Sequence, residues 1–128
     1  MRLFLMLAAL SGFLAVGLGA FGAHGLKARV SAELLAVYQT GVLYHLVHTL
    51  ALLGVAVLMY QIPASTLLKI SGWAFVAGIL VFSGSLYLLT FTGVRWLGAI
   101  TPLGGLCLLT GWLLLAVAAW RDWPGASL

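Results

Sequence analysis

Eight charged side chains divide this 128-residue chain into four uncharged stretches, and that spacing constrains the fold more than any other feature. Arg2 precedes Leu3 to Leu26; Lys27, Arg29 and Glu33 precede Leu34 to Leu68. Lys69 stands before Ile70 to Val94, and Arg95 separates that run from Trp96 to Trp120, after which Arg121 and Asp122 follow. A bilayer crossing takes about 20 apolar residues. Each run is long enough to cross once, and the second, the longest, cannot hold two crossings. With 64% hydrophobic and 6% charged residues, against about a quarter charged in soluble domains, the chain cannot clothe its own surface for water. A soluble enzyme, a disordered tail, a disulfide scaffold and a multidomain protein are excluded.

Local signals trim the runs to helices. The first is expected over 3–23, ended by Gly22, Gly25 and the basic residues. Ser31 has the chemistry of an N-cap, and Leu34, Leu35, Val37 and Tyr38 predict a short interfacial helix that leads into the second span, 42–60, which stops before Pro63. The third span is expected over 71–91. Thr101 before Pro102 reads as N-cap and first helical residue, which gives a fourth span over 102–120. Tyr60, Trp96, Trp120 and Trp123 fall near these boundaries, where amphipathic rings prefer to lie. A cleaved signal peptide is the alternative for the first run, but its apolar stretch exceeds the usual length. The lone Cys107 cannot form an internal disulfide and reads as a small buried apolar residue. The expected fold is therefore all-α: one transmembrane domain over residues 1–128, an antiparallel four-helix bundle with an interfacial helix before the second span.

Small residues recur at spacings of three and four. Ala8, Gly12, Ala15, Gly19 and Gly22 do so in the first span, Ser71, Ala74, Gly78 and Ser85 in the third, and Gly104, Cys107, Gly111 and Ala118 in the fourth. Lipid offers helices little hydrophobic reason to associate, so close approach at small residues does that work. Gly12, Gly19, Gly78, Gly104 and Gly111 are accordingly the expected packing positions. In the second span the equivalent stripe carries His45 and His48, three residues apart and so on one face. Ionisable groups at that depth face a bundle interior and mark candidate function.

Four crossings bring the end of the first span, the start of the second, the end of the third and the start of the fourth to one membrane side. His24, Tyr44, His45, His48, Ser85 and Arg95 gather there as the candidate polar site, with Ser85 at the depth of His48. Arg2, Lys69 and Arg121 anchor the other side, which also holds both termini. The basic counts on the two sides are equal; Arg2 beside the amino terminus tips the termini toward the cytoplasm.

Several blocks, in order, resemble a known family. They are Gly19-Ala20-Phe21-Gly22-Ala23-His24-Gly25-Leu26, Tyr38-Gln39-Thr40-Gly41, Tyr44-His45-Leu46-Val47-His48, Ser83-Gly84-Ser85-Leu86-Tyr87 and Arg95-Trp96-Leu97-Gly98-Ala99-Ile100-Thr101-Pro102-Leu103-Gly104-Gly105. Nearly the whole chain is similar to the YgdD/YwdK-like family, small four-span bacterial inner-membrane proteins carrying a domain of unknown function. The resemblance implies location and fold. It implies no activity, and no catalytic residue carries over.

Three functional readings follow. The first is a non-catalytic structural or accessory membrane component whose histidines hydrogen-bond neighbouring helices. The second is a haem or metal site on His24, His45 and His48, which requires His24 to face the pair and has no acidic or cysteine ligand nearby. The third is a transporter or channel subunit acting as an oligomer; neither Glu33 nor Asp122 lies in an expected span, so a proton path would rest on histidine. No nucleophile–base set or phosphate loop points to an enzyme, and no cofactor is expected. The lipid bilayer is the expected partner and nucleic acid is not; a second copy or other membrane proteins stay open.

Overall fold

The computed structural model describes residues 1–125, which fold into helices joined by short turns, with no strand among them. Four helical rods, 2–26, 32–61, 66–92 and 95–121, are long and apolar enough to cross a membrane. The first is α1 (Arg2–Phe21) running without a break into a π-helical turn, Gly22–Leu26. Gly22 and Gly25 therefore do not end the helix as expected. Gly22 keeps right-handed helical torsions, φ −60° and ψ −41°. What it contributes is a missing side chain, since a Cβ there would lie 2.5 Å from the buried ring of Tyr38.

The second rod is one 30-residue helix, α2 (Ala32–Gln61), with the Ser31 side chain accepting the Leu34 N–H at its start. The interfacial helix is thus the first part of the second span rather than a separate element. Nothing between Ala32 and Gly41 breaks helical periodicity, so the helix runs through. The third rod starts at Thr66, five residues before the expected Ser71. Ser65 caps it by accepting the Leu68 N–H, directly after the Pro63 turn. Lys69 lies exposed within it, because a long aliphatic stem lets an ammonium reach water from inside a helix end. This rod comprises α3 (Thr66–Gly78), a π-helical turn Ile79–Ser83, and α4 (Gly84–Thr92). Gly93 ends it at φ +70°, a left-handed conformation that suits glycine. A 3₁₀ turn, Arg95–Ala99, precedes α5 (Thr101–Arg121). Thr101 is inside α5 and caps nothing, its hydroxyl being engaged by Ser85 instead, 2.6 Å away. Cys107 is half-buried rather than enclosed.

Neighbouring rods run antiparallel, with α2 and α3 side by side at the centre, α1 against α2 and α5 against α3. The inner pair is the more buried, and the outward faces of α1 and α5 are lined with leucine, valine, phenylalanine and tryptophan. Glycines set the α3–α5 approach. A Cβ on Gly78 would meet the Leu108 side chain at 2.3 Å, one on Gly104 the Phe82 backbone at 2.3 Å, and one on Gly111 the Phe75 ring at 2.7 Å. Gly19 is moderately close, 3.2 Å from Val42, whereas Gly12 sits in ordinary contact, 3.5 Å from Thr49. Gly41, on the stripe of His45 and His48, closely approaches Tyr87, and Gly72, outside the stripes, closely approaches Phe4.

Candidate functional site

His45 and His48 point in different directions from the middle of α2, and each is buried. The Nδ1 of His48 lies 2.7 Å from the Tyr44 carbonyl, which can only accept, so Nδ1 carries the proton. Its Nε2 is then the acceptor for the Trp112 indole N–H on α5, 3.1 Å away. His48 thereby ties α2 to α5. Tyr44 stacks on this ring and on Phe82, with centroid separations of 5.7 and 4.4 Å.

His45 looks the other way. Its Nδ1 is 2.9 Å from the Tyr87 hydroxyl on α4, and its Nε2 is 3.0 Å from the Ser11 hydroxyl on α1. Ser11 in turn lies 2.6 Å from the Thr49 hydroxyl. Four polar side chains from three rods therefore form one continuous chain, Thr49–Ser11–His45–Tyr87. Nearby, Ser83 donates to the Gly41 carbonyl at 2.7 Å and Tyr38 donates to the Leu18 carbonyl. Among the described residues, every buried side-chain nitrogen and oxygen has a partner. In a medium without water that matters, because an unpaired polar group there costs several kcal/mol, about as much as several packing contacts together.

The residues singled out from sequence do not form a single cluster. Tyr44, His45 and His48 are brought together by α2. Ser85 matches His48 in depth but not in direction. It shares the stripe of Ser71 and Gly78, which faces α5, so it bonds the Thr101 hydroxyl and the Phe82 carbonyl. His48 and Ser85 share a depth but do not bond; His48 bonds Trp112 and Ser85 bonds Thr101. His24 is exposed in the π-helical turn after α1, and Arg95 is exposed at the start of the 3₁₀ turn. His24 thus does not face the His45–His48 pair, and among the described residues no three His, Cys, Asp or Glu side chains come close enough to share a metal ion.

Ser11 and Trp112 were missed from sequence. Ser11 is the one hydroxyl side chain between Leu3 and Leu26. A solitary hydroxyl beside the Ala8–Gly12–Ala15 stripe was the available signal. A cleft of about 360 Å³ opens beside it, between α1 on one wall and α3–α4 on the other, with His45, Ser11, Ser83 and Tyr87 in its lining.

Residues 18–105 match the family described as "Protein of unknown function (DUF423)". The chain belongs to the DUF423 family. The matched stretch contains His24, His45, His48, Ser85, Tyr87 and Arg95, while Ser11 and Trp112 lie outside it. The chain is 47% identical to the UPF0382 membrane protein YwdK of Bacillus subtilis over 119 residues, covering 93% of this chain and 97% of that one. It is 43% identical to the UPF0382 membrane protein SAB0533 of Staphylococcus aureus, covering 94% of this chain and 98% of that protein. A third relative, SSP2132 of Staphylococcus saprophyticus, is 42% identical with 94% and 99% coverage. No solved structure matches the chain. The DUF423 protein is thus a membrane protein with four apolar helices and no activity assigned through its family.

Proposed function

We propose that this DUF423 protein is a non-catalytic structural or accessory component of the bacterial inner membrane, embedded as a single four-helix domain with both termini in the cytoplasm. The observation that carries this reading is the use made of the two buried imidazoles. All four of their ring nitrogens are engaged by the protein itself, by Tyr87, Ser11, the Tyr44 carbonyl and Trp112. His45 joins three rods and His48 joins two, so both act as ties between helices, which is a structural task. A metal-binding histidine needs a ring nitrogen that is not already held by the protein. Nothing in the family description indicates a catalytic role.

The test is substitution of His48 with glutamine and with leucine, read by unfolding in detergent together with metal content and an absorption spectrum. Glutamine can still accept from Trp112 and donate to Tyr44, so His48→Gln is expected to match the parent. His48→Leu strands the indole N–H and is expected to cost about 1–3 kcal/mol. A Soret band or stoichiometric metal in the parent that disappears from a normally stable His48→Gln protein defeats the proposal.

A further inference from the structure

The cleft between α1 and α3–α4 has three features that packing alone does not require. Its long wall is apolar and runs from Leu7 to Leu18 on α1, about 16 Å at 1.5 Å per residue. Its rim is open sideways: Leu10, Leu14 and Leu80 line it and are 59%, 55% and 69% exposed on the surface that meets lipid. Its opposite wall is built by the π-helical turn Ile79–Ser83 and by Gly84, where an added Cβ would meet nothing within 4 Å. Single π turns inside α-helices concentrate at functional sites, and a volume of about 360 Å³ lies in the range of small-molecule pockets.

The polar end of the cleft has a proton to spare. With a neutral imidazole, Thr49, Ser11, His45 and Tyr87 carry one mobile donor proton each, but the chain they form has only three links. One proton is left over, and it sits at whichever end the chain is ordered toward. Among the described residues the Thr49 hydroxyl has no hydrogen-bond partner besides Ser11. At the Tyr87 end it faces the cleft. In the order that ends there, Thr49 donates to Ser11, Ser11 to His45 Nε2 and His45 Nδ1–H to Tyr87, which leaves the Tyr87 O–H to donate a hydrogen bond to an acceptor in the cleft with no proton transferred.

From this we infer that the cleft is a binding site for a lipid-soluble molecule that enters from the bilayer, lays its apolar chain along the leucine wall of α1 and accepts a hydrogen bond from Tyr87 through a carbonyl oxygen. A prenyl quinone and the acyl ester of a phospholipid both present that chemistry. The inference goes beyond the structural role proposed above and stands without it, because it concerns the cleft and not the His48 tie.

The test is native mass spectrometry and equilibrium titration of the detergent-solubilised protein with three probes: a short-tailed prenyl naphthoquinone, dioleoyl phosphatidylglycerol, and the hydrocarbon counterpart of the quinone lacking both carbonyls. Saturable binding of the quinone or of the phospholipid supports the site and identifies its source; saturable binding of neither overturns it. Gly84→Leu fills the cleft from a position with room for a side chain, and is expected to weaken binding by about tenfold or more with thermal stability retained. Should Gly84→Leu lower stability, Leu14→Trp on the exposed rim blocks the same opening from the lipid side and serves in its place. Tyr87→Phe is expected to weaken the carbonyl-bearing probe about three- to tenfold and leave the hydrocarbon unchanged. Parent-like binding by the blocked variant, or equal loss of both quinone and hydrocarbon in Tyr87→Phe, overturns the inference.

Discussion

Gly104→Ala places one methyl group where there is no room for it. The added Cβ would lie 2.3 Å from the backbone nitrogen of Phe82, 2.7 Å from its Cα and 2.8 Å from its Cβ. Ordinary carbon contacts begin near 3.5 Å, so α5 must retreat by roughly 1 Å. The atoms in the way are mostly main chain, held by the π-helical turn, and no rotamer change relieves them. Retreat also loosens the neighbouring contacts of Gly78 with Leu108 and of Gly111 with Phe75, which share the same pair of helices. Overpacking of this kind costs about 1–3 kcal/mol, while alanine regains about 0.8–1 kcal/mol of helix propensity over glycine. Gly54→Ala separates the two terms. Gly54 also lies in a transmembrane helix, but a Cβ there meets nothing within 4 Å, so only the propensity gain remains. The expected result is a gap of about 1–3 kcal/mol between the two variants, with Gly54→Ala at or above the parent. Denaturant titration in mixed micelles, followed by tryptophan fluorescence, measures it. Equal stability of the two alanine variants would refute the claim that backbone contact at Gly104 sets the α3–α5 spacing.

The same geometry yields further outcomes. Gly22→Ala drives a methyl group to 2.5 Å from the Tyr38 ring, which is fully buried and tethered through its hydroxyl to the Leu18 carbonyl; a loss of about 1–3 kcal/mol in the same titration is expected. Phe75→Ala empties the contact shared by Gly111, His48 and Trp112 and is expected to cost about 3–5 kcal/mol, with a blue or red shift of the Trp112 emission reporting the local change. Reporter fusions at the two termini should give the same location, as four crossings require, and a cytoplasmic one where Arg2 sets the orientation; opposite locations would remove the four-span topology itself.

The spans were legible because charge is so scarce that eight residues punctuate the whole chain, and a cap such as Ser31 is a local signal that needs no tertiary knowledge. The start of the third rod was misplaced because Lys69 was read as a boundary, whereas the boundary chemistry lay in Pro63 and Ser65. The two π-helical turns left no trace in the sequence: Gly22–Leu26 looks like a helix end, and Ile79–Ser83 looks like uninterrupted helix. The polar site was half legible. Depth along the membrane follows from counting residues, and it put Ser85 level with His48. Direction around each helix axis does not follow from depth, so equal depth did not bring Ser85 to His48, and its stripe carries it to α5 instead. Ser11 was overlooked because a single hydroxyl hardly alters the apolar character of its span.

That first span also explains why a cleft exists at all. Its small residues, Ala8, Gly12, Ala15, Gly19 and Gly22, lie on the α2 side, where Thr49, Val42 and Tyr38 approach. Leu7, Leu10, Leu14 and Leu18 form a second stripe at spacings of three and four, turned toward α3–α4. Small residues let one helix close in, and leucines hold the next one off. Near the termini the gap is bridged by Phe4, whose ring lies against Gly72 and packs edge-on to Trp73 at 5.2 Å. At the other end Tyr38 fastens α1 to α2 through Gly22 and the Leu18 carbonyl. Between those two fixed points the α3–α4 wall contributes Gly84 and the widened π turn, neither of which fills the space. With no small-residue face turned toward α3–α4, lipid gives α1 no reason to close the gap, since leucine is as well solvated by acyl chains as by leucine. The opening is therefore written into the placement of leucine and glycine on one helix, and the hydrogen-bonded chain from Thr49 to Tyr87 is what keeps α1 at its station beside it.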